Sequence, residues 1–248
     1  MNTPRFFCEL PLEPDLRLTL PASVSHHVRV RRLKSGQEIV LFNGSGVEFK
    51  AILSFEASGN AIGLLQAAET VDRELPFRLT LVQGIASQDR MDWVVEKAVE
   101  LGAAEFIPVT ASRSVVKLST DRAAKRTTHW QKLAIAASEQ CGRNRLMHIH
   151  PPCSIEEAVK RCGSQTMLLC HLAPGGLALN HPKVLQAVHA NQATSIIVGP
   201  EGGWDEFEAG RWLATGAQAI SLGARVLRTE TAGIAALAGL GQLLTQNH

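Results

Sequence analysis

From residue 79 onward the chain repeats one pattern: a short apolar run, then a longer stretch whose apolar positions recur at helical spacing. Leu79-Thr80-Leu81-Val82, Phe106-Ile107-Pro108-Val109, Met167-Leu168-Leu169-Cys170, Ser195-Ile196-Ile197-Val198 and Ala219-Ile220-Ser221-Leu222 read as buried strands. Between and after them lie helical stretches. Asp89 to Leu101 places Met91, Val94, Val95, Ala98 and Leu101 on one face, with Gly102 as its stop. Trp130, Leu133, Ala134 and Ala137 mark a second helix, Asp205 to about Thr215 a third, and Thr229 to about Leu244 a fourth with Thr229 as its N-cap. Strands that alternate with helices predict an α/β fold, a mostly parallel sheet covered on both faces. Ligands of such sheets bind beyond the carboxyl ends of the strands.

The first seventy residues read differently. Ile39 and Leu41, then Val47, Phe49 and Ala51, alternate on either side of Asn43-Gly44-Ser45-Gly46, a hairpin signal. One helix interrupts the strands, with Ser23 as its cap, Gly36 as its end and His26 to Lys34 between them. A small barrel of short strands is the simplest package. The change of pattern around Thr70–Pro76 sets the expected domains at 1–72 and 73–248.

Net charge is only +2, so the chain as a whole is not a basic nucleic-acid binder. The positive charge is focused instead: residues 113–145 carry eight Lys or Arg against Asp121 and Glu139. Such focusing attracts an anionic partner. Five cysteines, an odd number without CxxC spacing, together with no signal peptide and no apolar run near 20 residues, predict reduced thiols in a cytoplasmic protein that is not embedded in a membrane. His148-x-His150 near Cys153 lacks a recognisable fourth ligand, so no metal site is expected.

Three loops leave the last three of these strands, beginning at His171, at Gly199-Pro200-Glu201-Gly202-Gly203 and at Leu222-Gly223-Ala224-Arg225-Val226-Leu227-Arg228. If the strands are neighbours, the loops line one pocket. The glycine loop is not a phosphate loop of the Walker type, since it lacks the G-K-[ST] ending. Glu201 would repel a phosphate by about 4 kcal/mol at about 4 Å with an effective dielectric of about 20. It suits ribose hydroxyls, an amine or a sulfonium, or else it accepts backbone N–H groups and braces the turn. Arg225 and Arg228 stand before a helix N-terminus, which favours anions. Spacing leaves two readings level, in which they hold a substrate phosphate or pair with Glu230 and Glu201.

The pair ‘IIVGPEGGW’ and ‘ISLGARVLRTETA’ resembles the RsmE family of SPOUT methyltransferases. So do Asp92 to Gly102, Glu139-Gln140-Cys141-Gly142-Arg143-Asn144-Arg145, His26 to Arg31 and ‘LFNGSG’, in the family's order along nearly the whole chain. The resemblance implies a SPOUT C-terminal domain threaded as a trefoil knot, which base rates alone argue against. It also implies a PUA-like N-terminal β-barrel, S-adenosylmethionine as cofactor and a homodimer. The implied reaction is methylation of N3 of one uridine in 16S rRNA, within the small ribosomal subunit.

On that basis the expected cofactor bed is Leu172, Gly199, Glu201, Gly202, Leu222, Gly223, Val226 and Leu227. Arg228 is expected to stabilise charge on the uracil, and Glu230 to take its N3 proton or to orient Arg228, the orienting role being preferred. RNA contacts are expected from Arg29, Arg31, Arg32 and Lys34, and from Arg113, Lys117, Gln140, Arg143 and Arg145, with Arg122, Lys125, Arg126 and Lys132 as further basic positions.

Overall fold

The computed structural model describes residues 3–114, 119–171, 175–191 and 193–245. The chain divides into two compact units. One is formed by 1–74 with 138–146, the other by 75–137 with 147–248. The sequence suggests a single cut after residue 72 and gives no sign that 138–146 returns to the first unit. Asn144 donates to Glu48 and to the Val71 carbonyl, and Arg143 pairs with Glu74, bonds between residues far apart in sequence.

The first unit contains β1 (Arg5–Phe7), β2 (Arg17–Thr19), α1 (Ala22–Val30), β3 (Glu38–Phe42), β4 (Glu48–Phe55) and β5 (Ala61–Glu69). They form a five-stranded sheet in the order β1-β3-β4-β5-β2. The β3–β4 hairpin forms as its sequence suggests: Asn43 accepts from the Ser45 N–H, and Gly44 and Gly46 take positive φ at the turn. Phe6, Val24, Val28, Ile39, Leu41, Phe49, Leu53 and Leu65 make its core.

Helix α1 departs from the sequence reading at both ends. Its N-cap is Pro21, and Ser23 lies inside the helix, while the Ser25 hydroxyl donates to the Leu20 carbonyl. It ends at Val30 and not near Gly36, because Arg32 takes the left-handed position (φ 54°) that glycine usually fills, and Leu33 N–H returns to the Val28 carbonyl.

The second unit contains β6 (Arg78–Gly84), α2 (Gln88–Glu100), β7 (Glu105–Val109), the start of α3 (Thr120–Cys141), β8 (His148–Ile149), α4 (Ile155–Cys162) and β9 (Thr166–Cys170). It continues with β10 (Leu177–Ala178), α5 (Pro182–Asn191), β11 (Ala193–Val198), α6 (Glu206–Ala214), β12 (Gln218–Ser221) and α7 (Thr229–Thr245). The seven strands pair in parallel in the order β10-β12-β9-β11-β6-β7-β8. The middle strands β6, β9 and β11 are buried almost throughout, as a sheet covered on both faces requires.

On one face Val82, Ile107, Leu169 and Ile197 meet Trp204 and Trp212, whose rings contact edge to face at 5.8 Å. Helices α4 and α6 cover this side, each opened by a capping box, Ser154 with Glu157 and Asp205 with Glu208. Helix α7 packs against β6, β11 and α2. Among the described residues no helix is long and apolar enough to cross a membrane.

Candidate functional site

Strands β12, β9 and β11 are consecutive neighbours, so the loops at their carboxyl ends converge. They enclose a cavity of about 810 Å³ within the second unit. Gly199, Glu201 and Gly202 line it from the β11 side, and Leu222, Gly223, Val226 and Leu227 from the β12 side. Leu172, the expected contribution of the β9 loop, lies outside the described residues, but Cys170 and His171 line the cavity from that strand. Burial pushes the Cys170 thiol up to about 12, so it faces the cavity as a neutral group.

The glycine loop is held by contacts that leave no room for side chains. A Cβ on Gly84, at the end of β6, would stand 2.4 Å from the Pro200 nitrogen, and one on Gly199 would stand 3.0 Å from the Trp204 nitrogen. The Gly199 carbonyl accepts from the Gln83 carboxamide and from the Thr229 hydroxyl. Thr229 therefore works as a tie between β6, the glycine loop and α7, with its hydroxyl committed to that tie rather than to capping as the sequence suggests. Arg113 donates to the Gly202 carbonyl at 3.1 Å and lines the cavity, which puts this expected RNA contact at the pocket. Ser112 beside it is bonded through its N–H and hydroxyl to Glu208, and through its hydroxyl to Asp205.

Glu201 stands at the N-terminus of α2, where its Oε1 accepts from the Ser87 N–H at 2.8 Å. Burial pushes its carboxyl up, but the Ser87 hydrogen bond and the Arg90 charge outweigh this and hold it below the ordinary value. The helix dipole acts in the same direction. Glu201 thus braces the turn and lines the cavity at once. Its Oε2 is buried without a hydrogen-bond partner.

Arg228 lines the cavity and is exposed. Glu230 is absent from the cavity wall. Its Oε2 lies 3.8 Å from Nε of Arg90, which does line the cavity and is also 3.7 Å from Glu201. Arg90 and Gln83 escape a reading of the sequence, though Arg90 carries one signal. A cation in the first turn of a helix opposes the dipole and needs carboxylates nearby.

In the first unit Arg29, Arg31, Arg32 and Lys34 are all exposed, and Arg31 lies over the Phe6 ring at 5.6 Å. Gln140 is exposed, and so is Arg145, whose guanidinium lies against Gly46. Arg143 departs from the expectation: its side chain is 4% exposed and paired with Glu74, so its charge is spent inside the unit rather than offered to a partner. Lys117 lies outside the described residues.

Comparisons with known proteins bear on both units. Residues 73–241 match the family model described as an RNA methyltransferase domain, and residues 20–63 that of an RNA methyltransferase PUA domain. The chain is 32% identical over 249 residues to the ribosomal RNA small subunit methyltransferase E of Bacillus subtilis, covering 95% of each. It is similar to the crystal structure of ribosomal RNA small subunit methyltransferase E from Neisseria gonorrhoeae bound to S-adenosyl methionine, with a TM-score of 0.91, 36% identity and 98% of both chains covered. A putative methyltransferase from Legionella pneumophila in complex with the same cofactor gives a TM-score of 0.88 at 30% identity, again over 98% of both chains.

Proposed function

The chain belongs to the ribosomal RNA small subunit methyltransferase E family, and from that premise we propose that it transfers a methyl group from S-adenosylmethionine to N3 of one uridine in 16S rRNA. The observation that carries this reading is the cavity at the carboxyl ends of β9, β11 and β12, in a chain whose structural neighbours hold that cofactor.

The residues present fit the cofactor. Gly223 leaves backbone open to close approach while Gly199 and Gly202 let the loop pack tightly at the cavity wall, Leu222, Val226 and Leu227 offer apolar faces for an adenine, and Glu201 tolerates a sulfonium where a phosphate would be repelled. When bound, the cofactor supplies the electrophilic methyl group. Holding two reactants in line removes roughly 7–11 kcal/mol of barrier at best, so the loops' main task is positioning. Uracil N3 carries a proton at neutral pH, and removing it leaves charge on O2 or O4. Arg228 is the residue that stabilises that charge in this reading, and its exposure at the cavity supports the assignment. Glu230 faces Arg90 rather than the cavity, and among the described residues no ion pair joins it to Arg228, so this geometry favours neither of the two roles expected of it, taking the N3 proton or orienting Arg228.

The finer architecture belongs to the same proposal: a trefoil-knotted SPOUT domain in the second unit and a PUA-like barrel in the first that grips RNA through Arg29, Arg31, Arg32 and Lys34. Arg113 in the second unit, and Gln140 and Arg145 in the first, are further RNA contacts of the same proposal. A homodimer, as the family resemblance implies, belongs to the same proposal. The place of work is the cytoplasm, with the small ribosomal subunit as partner. The test is incubation with labelled cofactor and either deproteinised rRNA or whole small subunits, followed by mapping of the methylated nucleotide. Label on N3 of a single 16S uridine is expected; label on another base or another RNA class overturns the assignment.

A further inference from the structure

Three charged groups meet beside the cavity: Glu201, Arg90 and Glu230. Arg90 reaches both carboxylates at 3.7 and 3.8 Å, ion-pair distances too long for hydrogen bonds. Each carboxylate keeps a buried Oε2 with no hydrogen-bond partner, although Glu201 Oε1 is engaged by Ser87. Burying a carboxylate in this way is costly, and here two of them share one cation. The cluster therefore carries two negative charges and one positive. The side chains of the two acids are 18% and 16% exposed, so their field is poorly screened. Arg113, Arg225 and Arg228 also line the cavity, but they are exposed and solvent weakens their effect. The three-residue cluster beside the cavity is thus net negative, while the exposed arginines of the lining are positive.

We propose that the Glu201–Arg90–Glu230 cluster is a charge sensor that favours the sulfonium form of the cofactor over its neutral thioether product, with Arg90 as the positioning residue that keeps the two acids together. The proposal rests on the reading that this cavity takes S-adenosylmethionine. Methyl transfer removes the positive charge from sulfur, so a net negative cluster beside the cavity holds substrate cofactor and lets the spent one go. Glu230 acts here through its charge, from behind the wall, with no contact to the ligand.

The experiment is calorimetric titration of the full-length protein and of its Glu230→Gln and Glu201→Gln variants with S-adenosylmethionine and with S-adenosylhomocysteine. Glutamine keeps an acceptor for the Ser87 N–H while removing the charge. The wild type is expected to prefer the sulfonium form, and either glutamine variant to lose about fivefold of that preference, with affinity for the thioether nearly unchanged. Equal affinity of the wild type for both ligands overturns the proposal without any variant. An unchanged preference in the variants also overturns it, as does an equal loss for both ligands, the mark of a merely structural role. A wild type that binds neither ligand removes the cofactor reading itself, an outcome distinct from the others.

Discussion

The Gln83 carboxamide donates to the Thr229 hydroxyl at 2.8 Å, and both groups reach the carbonyl of Gly199. One buried polar knot therefore fixes the end of β6, the first residue of the glycine loop and the start of α7. Gln83 is fully buried and Thr229 is 6% exposed, so the bonds they share are made away from water.

Thr229→Val keeps the shape and deletes the hydroxyl. It is expected to cost about 1–3 kcal/mol, the net worth of the two buried hydrogen bonds that the hydroxyl makes. The cofactor affinity falls with it, because the Gly199 carbonyl loses a donor. Urea denaturation and calorimetry measure the two effects. Full stability and full affinity together would show that the knot is incidental.

Arg228→Ala tests the chemistry. Arg228 is exposed at the cavity and no ion pair fixes it among the described residues. Stability stays within about 0.5 kcal/mol, as for most exposed substitutions. Turnover at saturating RNA and cofactor falls by about 100-fold or more, the usual cost of losing one donor to a developing oxyanion. Single-turnover methylation beside a cofactor titration separates the two; unchanged turnover would remove Arg228 from the mechanism.

Much of this site is legible in the sequence because its parts are local. The run Ser195–Val198 followed by Gly-Pro-Glu-Gly-Gly declares a buried strand and a crowded turn, and β11 with its loop has that form. The amphipathic face of α2 is equally plain, with Met91, Val94, Val95 and Ala98 all buried. What stays hidden is pairing at a distance. Nothing local announces that β11 inserts between β6 and β9, since strand order is decided by which apolar faces meet. Nothing local joins Arg90 to Glu201 and Glu230, or the segment around Asn144 to Glu48. The late end assigned to α1 has a narrower cause: Arg32 adopts a glycine-like conformation without being glycine.

Glu105 sets an acid limit on the second unit. It accepts from His150 and from Arg78, and these bonds outweigh burial and hold its carboxyl at about 2. A carboxyl depressed below its unfolded value of 4.5 contributes stability that is complete above that value and is lost as pH falls toward about 2. The contribution is at most about 3 kcal/mol. Glu105→Gln therefore narrows its deficit to the wild type as pH falls from 5 to 3, on the order of 1–2 kcal/mol over that window. Denaturation midpoints at the two pH values check this. A deficit that is the same at both would assign the low pKa no energetic weight.

Arg143 and Arg32 look alike in sequence and are expected to fail differently. Arg143 is 4% exposed and forms its ion pair with Glu74, whose side chain is 19% exposed. Arg143→Ala leaves that carboxylate uncompensated, and the loss in stability is about 3 kcal/mol. Arg32 is exposed beside Arg29, Arg31 and Lys34, and it is expected to contact phosphate. Its backbone lies at φ 54°, so Arg32→Gly, which keeps that conformation available, is the cleaner substitution. Binding to rRNA then weakens, and the slope of log affinity against log salt falls by about 1. The salt slope of a folded Arg143→Ala protein stays that of the wild type. Salt titrations of both variants separate brace from contact, and an equal fall in slope would mean that Arg143 leaves Glu74 to bind RNA.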